Sequence, residues 1–224
     1  MFADQEQRTK VKICGITNLE DARFAAGALA DFLGFVFYEK SPRYIEPAKA
    51  GAIINWIEGP KTVGVFVNRD LDDVNRIAGQ TGIDIVQLHG SESAEYCALV
   101  DKPVIKVFHV AKEGNGQNLM SRVEPYLEIV DYLLFDTGSK TQWGGTGENF
   151  DWNALENLNH DKPVFLSGGL NPENVRAGII KTNPYAVDLS SGVEKVPGIK
   201  DFDKLESFFD EMRDIWTLQE MGEL

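Results

Sequence analysis

Several side chains with the chemistry to move a proton or hold an anion fall where a β-rich run ends. Cys14 closes the run Val11–Cys14 and is followed at once by glycine. A thiol at a strand end beside a helix start can have its pKa drawn from about 8.5 toward neutrality, which makes it a usable base or nucleophile. The same residue also serves as a small buried hydrophobe. Asp136 ends the apolar run Tyr132–Asp136. A carboxylate there is costly unless it is paired or used, and desolvation raises its pKa toward an acid role. Its plainer reading is a cap on the turn that follows. An acid and a base on different sides of one small molecule suit proton transfers on a sugar phosphate.

Two turns are suited to an anion. Ser167-Gly168-Gly169 leads toward a helix expected near Asn171-Pro172, and Asp188, Ser190, Ser191 and Gly192 close the last β-rich run. Glycine lets the backbone approach a phosphate closely, and N–H groups near helix starts attract it. Either turn alone also reads as an ordinary tight connection. Gln87 and His89 end the run "QLHG", and Arg43 sits in the loop "YEKSPRYI". His89 and His109 are possible metal ligands, but no carboxylate pair accompanies them in the sequence, and no metal is expected. Cys97, inside the helix-like "SAEYCALV", reads as packing. Lys12, on the same side of its strand as Cys14, and Lys106 are candidate buried cations whose partners the sequence leaves open.

These residues need a frame. Eight β-rich runs occupy 11–14, 32–37, 62–67, 85–88, 103–108, 132–136, 163–166 and 186–190. Several are almost continuously apolar, as parallel strands covered on both faces are. Helix-period segments separate them. Thr17 and Glu20 stand in capping-box spacing, Leu71, Val74 and Ile77 share a face, and Asn171-Pro172 reads as a cap with a first-turn proline. Phe202, Leu205, Phe208, Phe209 and Met212 make one apolar stripe at the C-terminal end. Eight such units of about 28 residues, with no linker between them, predict a single (β/α)8 barrel spanning 1–224. Residues 1–9 and about 217–224 are expected to be flexible ends. An open doubly wound sheet fits less well, because the count is eight and no early GxGxxG appears. In a barrel, sites lie at the C-terminal strand ends and phosphate sits by the loops after strands 7 and 8, where the residues above cluster.

A formal net charge of −13 argues against non-specific binding to nucleic acid or anionic membranes, though not against a small anionic substrate in a locally positive pocket. Two cysteines make no disulfide framework, and the opening "MFADQEQRTK" has no signal-type apolar core. A cytoplasmic protein with reduced thiols is expected, monomeric or homodimeric, with a phosphorylated small molecule as its partner.

With these residues in view, the chain resembles the phosphoribosylanthranilate isomerase family from Val11 to about Phe209. The resemblance lies in "VKICGIT", "DFLGFVFYEKSPRYI", "VGVFVN", "VQLHG", "LLFDT", "GGTGENFDW", "GGLNPENV" and "VDLSSGVE" followed by "PGIKD", in that order. One departure is Ser167, where the family more commonly looks like "AGGL". The resemblance implies a (β/α)8 enzyme of tryptophan biosynthesis that performs an Amadori rearrangement without a cofactor. It also implies Asp136 as general acid, Cys14 as general base, and Arg43 as the group that holds the anthranilate carboxylate. The turns around Gly168-Gly169 and Ser190–Gly192 would hold the phosphate. Two rival readings remain: a metal-dependent sugar-phosphate epimerase using His89 and His109, and a non-catalytic sensor of phosphoribosyl ligands.

Overall fold

A computed structural model describes residues 8–110, 119–137, 152–155, 158 and 160–224. Eight parallel strands form a closed barrel in chain order: β1 (Lys10–Cys14), β2 (Phe32–Val36), β3 (Lys61–Phe66), β4 (Ile85–Leu88), β5 (Val104–Val110), β6 (Tyr132–Thr137), β7 (Val164–Leu166) and β8 (Ala186–Leu189). Closure is made by β8 pairing with β1, Lys12 lying opposite Asp188. The expected barrel is the barrel found, each strand within two residues of its run in the sequence.

Helices α1 (Leu19–Gly27), α2 (Pro47–Ile54), α3 (Leu71–Thr81), α4 (Ala94–Cys97), α5 (Leu119–Val123), α6 (Val175–Thr182) and α7 (Phe202–Met221) follow strands around the outside. Outward strand residues such as Val11, Ile13, Leu33 and Phe35 are buried in one cluster with helix residues including Ala22, Val74, Ile179 and Phe208. Between β6 and β7 the described residues contribute only a 3-10 turn, Trp152–Leu155. The segments "GSKTQWGGTG" and "GGTGENFDW" fall largely outside the described residues.

Period-two alternation decides what enters the barrel. Phe32, Val63, Ile85, Ile105, Val107, Leu134, Phe165 and Ala186 form an apolar floor inside it. An eight-stranded barrel is only wide enough for side chains to fill it, so the floor is packed rather than hollow. One step above, the fully buried Lys12 donates to Asp188 Oδ1 at 2.8 Å. One further step up the same strand faces lie Cys14, Val36, His89, Asp136 and Ser190, at the C-terminal mouth.

Three local expectations shift. α1 is capped by Asn18, whose Oδ1 accepts from Asp21 N at 2.8 Å, and not by Thr17. Thr17 is drawn off by the backbone of Gly198, which its hydroxyl donates to. Asn171 Oδ1 does accept from Glu173 N and Asn174 N, but it caps a turn, and regular helix begins at Val175. A short antiparallel hairpin, β9 (Glu194–Val196) with β10 (Ile199–Lys200), follows β8 and has no counterpart in the sequence reading. At the far end α7 runs to Met221, and Gln219 both accepts from Thr9 N at 3.0 Å and donates to Thr9 Oγ1 at 2.8 Å. No described helix is long and apolar enough to cross a membrane.

Candidate active site

Cys14, Arg43, Gln87, His89, Asp136, Asp188 and Ser190 all line one cavity at the mouth, with Tyr38, Val36, Val65 and Val67 as its apolar wall. Their convergence follows from register. Cys14 is one inward step above Lys12, Asp136 one above Leu134, and Ser190 one above Asp188. In the closed strand order Cys14 and Asp136 stand three strands apart, so they address the cavity from different sides.

Cys14 is buried, with only 8% of its surface exposed. Room for its sulfur comes from the neighbouring strand, where Gly34 is its register partner. A Cβ on Gly34 would stand 2.7 Å from Cys14 Sγ, closer than non-bonded atoms sit. The sequence allows a thiol with a lowered pKa as well as a small buried hydrophobe, and the surroundings of the sulfur act against the lowering. Burial pushes the Cys14 thiol up, and the nearby Asp188 carboxylate adds to that, while the Lys12 and Lys200 ammonium groups pull it back only in part. The reason is geometric: regular α1 starts only at Leu19, and the sulfur lies inside the barrel mouth, away from water.

Lys12 is raised in pKa: burial alone lowers it, but Asp188 and Cys14 outweigh that and keep the ammonium charged. Asp188 accepts that ammonium and also lies near Ser167, whose Oγ donates to the Asp188 backbone carbonyl at 3.2 Å. Lys106 is also buried, but it faces outward from β5. It donates to Glu92 Oε2 and to the Gly90 carbonyl, both at 2.8 Å. Glu92 in turn accepts from the backbone N–H groups of Asn68 and Gly90, tying the loops after β3 and β4 together.

Arg43 reaches the cavity by a route the sequence does not reveal. Its plainer reading pairs it with Glu39 or Glu46. The structure instead pairs it with Glu194, 151 residues away: Nε donates to Oε1 at 2.9 Å and Nη2 to Oε2 at 2.7 Å. Glu194 is buried, which alone would raise its pKa. The bonds from Arg43 and the charge of Lys200 reverse this and hold the carboxyl below its usual range. Lys200, itself lowered in pKa by burial, donates to Glu194 Oε1 at 3.1 Å, to the Cys14 carbonyl at 2.6 Å and to Ser190 O at 3.3 Å. Glu194 and Lys200 therefore set the ends of β1 and β8 and the arginine between them. Neither stands out in the sequence, where they are two charged residues flanking a turn in "GVEKVPGIK".

The two expected phosphate turns touch. Gly168 and Gly169 have φ of 90° and 66°, left-handed values that favour glycine. Gly192 packs so closely on the β7 loop that a Cβ there would fall 1.9 Å from Leu170 O. Ser191 begins the 3-10 turn Ser191–Val193, and the Ser190 hydroxyl oxygen is buried with no hydrogen-bond partner while lining the cavity.

Gln87 and His89 adjoin, Nε2 of the amide lying 3.3 Å from the ring Nδ1. His89 Nε2 is 3.5 Å from Asp136 Oδ2, and the His89 and His109 rings are 5.0 Å apart. Burial, with His89 beside it, lowers the pKa of His109. The carboxylate beside the two histidines is Asp136, and the three residues meet because β4, β5 and β6 stand side by side. Cys97 is buried in the core on α4, where burial pushes its thiol up to about 11.

A mouth with a thiol, a carboxylate, an anchored arginine and paired glycine turns matches a known family. The family model for N-(5'-phosphoribosyl)anthranilate (PRA) isomerase covers residues 11–211. The N-(5'-phosphoribosyl)anthranilate isomerase of Geobacter sp. (strain M21) is 48% identical over 206 residues, 92% of this chain and 98% of that protein. The crystal structure of phosphoribosyl anthranilate isomerase from Thermotoga maritima superposes with a TM-score of 0.83 at 41% identity, covering 92% of this chain and 99% of that one. A phosphoribosyl anthranilate isomerase solved in complex with reduced 1-(o-carboxyphenylamino)-1-deoxyribulose 5-phosphate superposes with a TM-score of 0.80 at 40% identity, with coverage of 92% and 99%. From one end of the barrel to the other, this chain belongs to the N-(5'-phosphoribosyl)anthranilate isomerase family.

Proposed function

We propose that the barrel mouth converts N-(5'-phosphoribosyl)anthranilate into 1-(2-carboxyphenylamino)-1-deoxyribulose 5-phosphate by proton transfer between substrate, Asp136 and Cys14. The observation that carries this is the meeting of Cys14 and Asp136, from β1 and β6, around a single cavity. Asp136 protonates the furanose ring oxygen, and the C1–O bond breaks to leave a protonated Schiff base. Cys14 removes the proton from C2, and the electron pair moves to the nitrogen, giving an enolamine. Protonation at C1 and loss of the enol proton then give the ketone. The substrate nitrogen is the electron sink, so the scheme calls on no cofactor. The raised pKa of Cys14 fits this order of events. Ring opening brings a cation beside the buried thiol, and an adjacent positive charge favours the thiolate that the second step needs.

The phosphate is assigned to the turns Gly168-Gly169 and Ser190–Gly192, supported by the left-handed glycines and the Ser190 hydroxyl. Arg43 is assigned to the anthranilate carboxylate: Glu194 holds the Nε and Nη2 edge, leaving Nη1 to face the ligand. Gln87 and His89 lie on the side of Asp136, and Asp188 lies beneath Cys14 through Lys12. A cytoplasmic protein, monomeric or homodimeric, fits a biosynthetic role and two free thiols. The test is fluorescence-monitored consumption of N-(5'-phosphoribosyl)anthranilate by Cys14→Ala and Asp136→Asn. Each is expected to fold and to lose about 10²–10⁴-fold in kcat, as removal of a positioned acid or base does. Retention of most activity by either variant would remove that residue from the scheme.

A further inference from the structure

His89, His109 and Asp136 end three neighbouring strands, and one ligand atom from each lies within 4.8 Å of the others. His89 and Asp136 are more than nine-tenths buried, and His109 is half-buried. His89 Nε2 has no hydrogen-bond partner, and it stands 3.5 Å from Asp136 Oδ2, a separation that one bound ion can span. The groups around it favour a metal-binding tautomer. Gln87 Oε1 is also buried without a partner, and turning the Gln87 amide over lets that oxygen accept from His89 Nδ1–H. Nε2 then carries the lone pair. His109 Nε2 lies 3.3 Å from the His89 carbonyl, an arrangement that fixes its ring by a bond to backbone, as outer partners do for metal-ligating histidines. Two imidazoles and one carboxylate with an open side make a donor set suited to Zn²⁺ or Co²⁺.

We propose that these three residues form a binding site for a divalent transition ion of the Zn²⁺ class, and that its occupancy stops the isomerase reaction. An ion held there takes a lone pair of the Asp136 carboxylate, which can then no longer carry the proton to the ring oxygen. The site itself stands on geometry alone; only the inhibition rests on the function proposed above.

The experiment is a titration of chelator-treated enzyme with Co²⁺, read by visible d–d absorption, alongside turnover assays with added Zn²⁺. A saturable spectrum corresponding to a single ion per chain is expected in the native protein and also in Cys14→Ser. His109→Gln, checked for folding by circular dichroism, is expected to bind Co²⁺ about 10–100-fold more weakly. Zn²⁺ should inhibit native turnover over the range in which it displaces Co²⁺, and chelator should restore it. His109→Gln, compared with its own metal-free rate, should keep turning over at Zn²⁺ levels that stop the native enzyme. A Co²⁺ spectrum unchanged in His109→Gln, or one that vanishes in Cys14→Ser, overturns the site, the latter because the ion then sits on the thiol. Co²⁺ bound at the histidines with turnover undisturbed overturns the inhibition and points to a fault in the role given to Asp136.

Discussion

Cys14 shows how one side chain's setting decides its chemistry. Burial raises its pKa, and among the neighbouring charges Lys12 pulls it down more than Asp188 pushes it up. In the free protein the thiolate therefore forms only above the ordinary thiol value. Alkylation of Cys14 by iodoacetamide, followed by mass spectrometry of the modified peptide, should still be accelerating with pH beyond that value. Removing the ion pair beneath it, in Lys12→Met with Asp188→Asn to avoid an orphaned charge, should move the midpoint further up. A midpoint near neutrality in the native protein would mean that the sulfur is better solvated than its surroundings indicate. Arg43 poses a different question at the same scale, since its fork is already engaged by Glu194. If Nη1 reads the substrate carboxylate, Arg43→Met should cost about 2–5 kcal/mol in kcat/KM with the anthranilate compound and little with an aniline analogue that lacks the carboxylate. Equal losses on both would make Arg43 a support for its loop.

Strands place these residues, and β2 does so by omission. Gly34 lies opposite Cys14, and glycine inside a strand often marks a close approach by another group. Its missing Cβ leaves the space that the sulfur occupies, so Gly34→Ala forces either the thiol or the Cys14 backbone, whose Cα lies 3.1 Å from the added carbon, to shift. A misplacement of this size at a reacting group can cost 10²-fold. Gly34→Ala is accordingly expected to fold, to bind inorganic phosphate normally, and to lose about 10–100-fold in kcat. Unaltered kcat would show that the sulfur has freedom to move aside. The hairpin β9–β10 works in the opposite way, by addition: it carries Glu194 and Lys200 back over the mouth, where they grip Arg43 and the Cys14 carbonyl.

Over the whole molecule, that grip joins segments far apart in the chain. Arg43, Glu194 and Lys200 form one buried charged group spanning the loop after β2, the end of β1 and the hairpin. The pKa of Glu194 is held below 4.5, so its ionised form stabilises the folded state above that pH and the stabilisation is lost as pH falls through the lowered folded-state value. Glu194→Gln leaves two cations without their counter-ion and should cost about 3 kcal/mol near neutrality. The gap between variant and native protein, measured by urea denaturation, should stay constant above 4.5 and close as the pH is taken below it. A gap independent of pH would show that the loss comes from packing.

The order of strands was legible in the sequence because parallel strands buried on both faces leave apolar runs that need no partner to be recognised. Alternation carried that reading further: Lys12 and Cys14, or Asp188 and Ser190, must share a side of their strand whatever the fold. The strand-end rule for barrels then drew Cys14, Asp136 and the glycine turns into one expected site. What lay beyond reach depended on closure. Pairing β8 with β1 sets Asp188 beside Lys12 across 176 residues, and the hairpin returns Glu194 to Arg43 across 151. No local pattern encodes such partners, because many carboxylates could serve and only the barrel's register selects one. The same holds for the Cys14 pKa. Its strand end and the following glycine suggested a helix dipole, whereas burial in the assembled mouth, a property of all eight strands together, pushes it the other way. His89, His109 and Asp136 are likewise unrelated in sequence, and they meet because β4, β5 and β6 stand side by side.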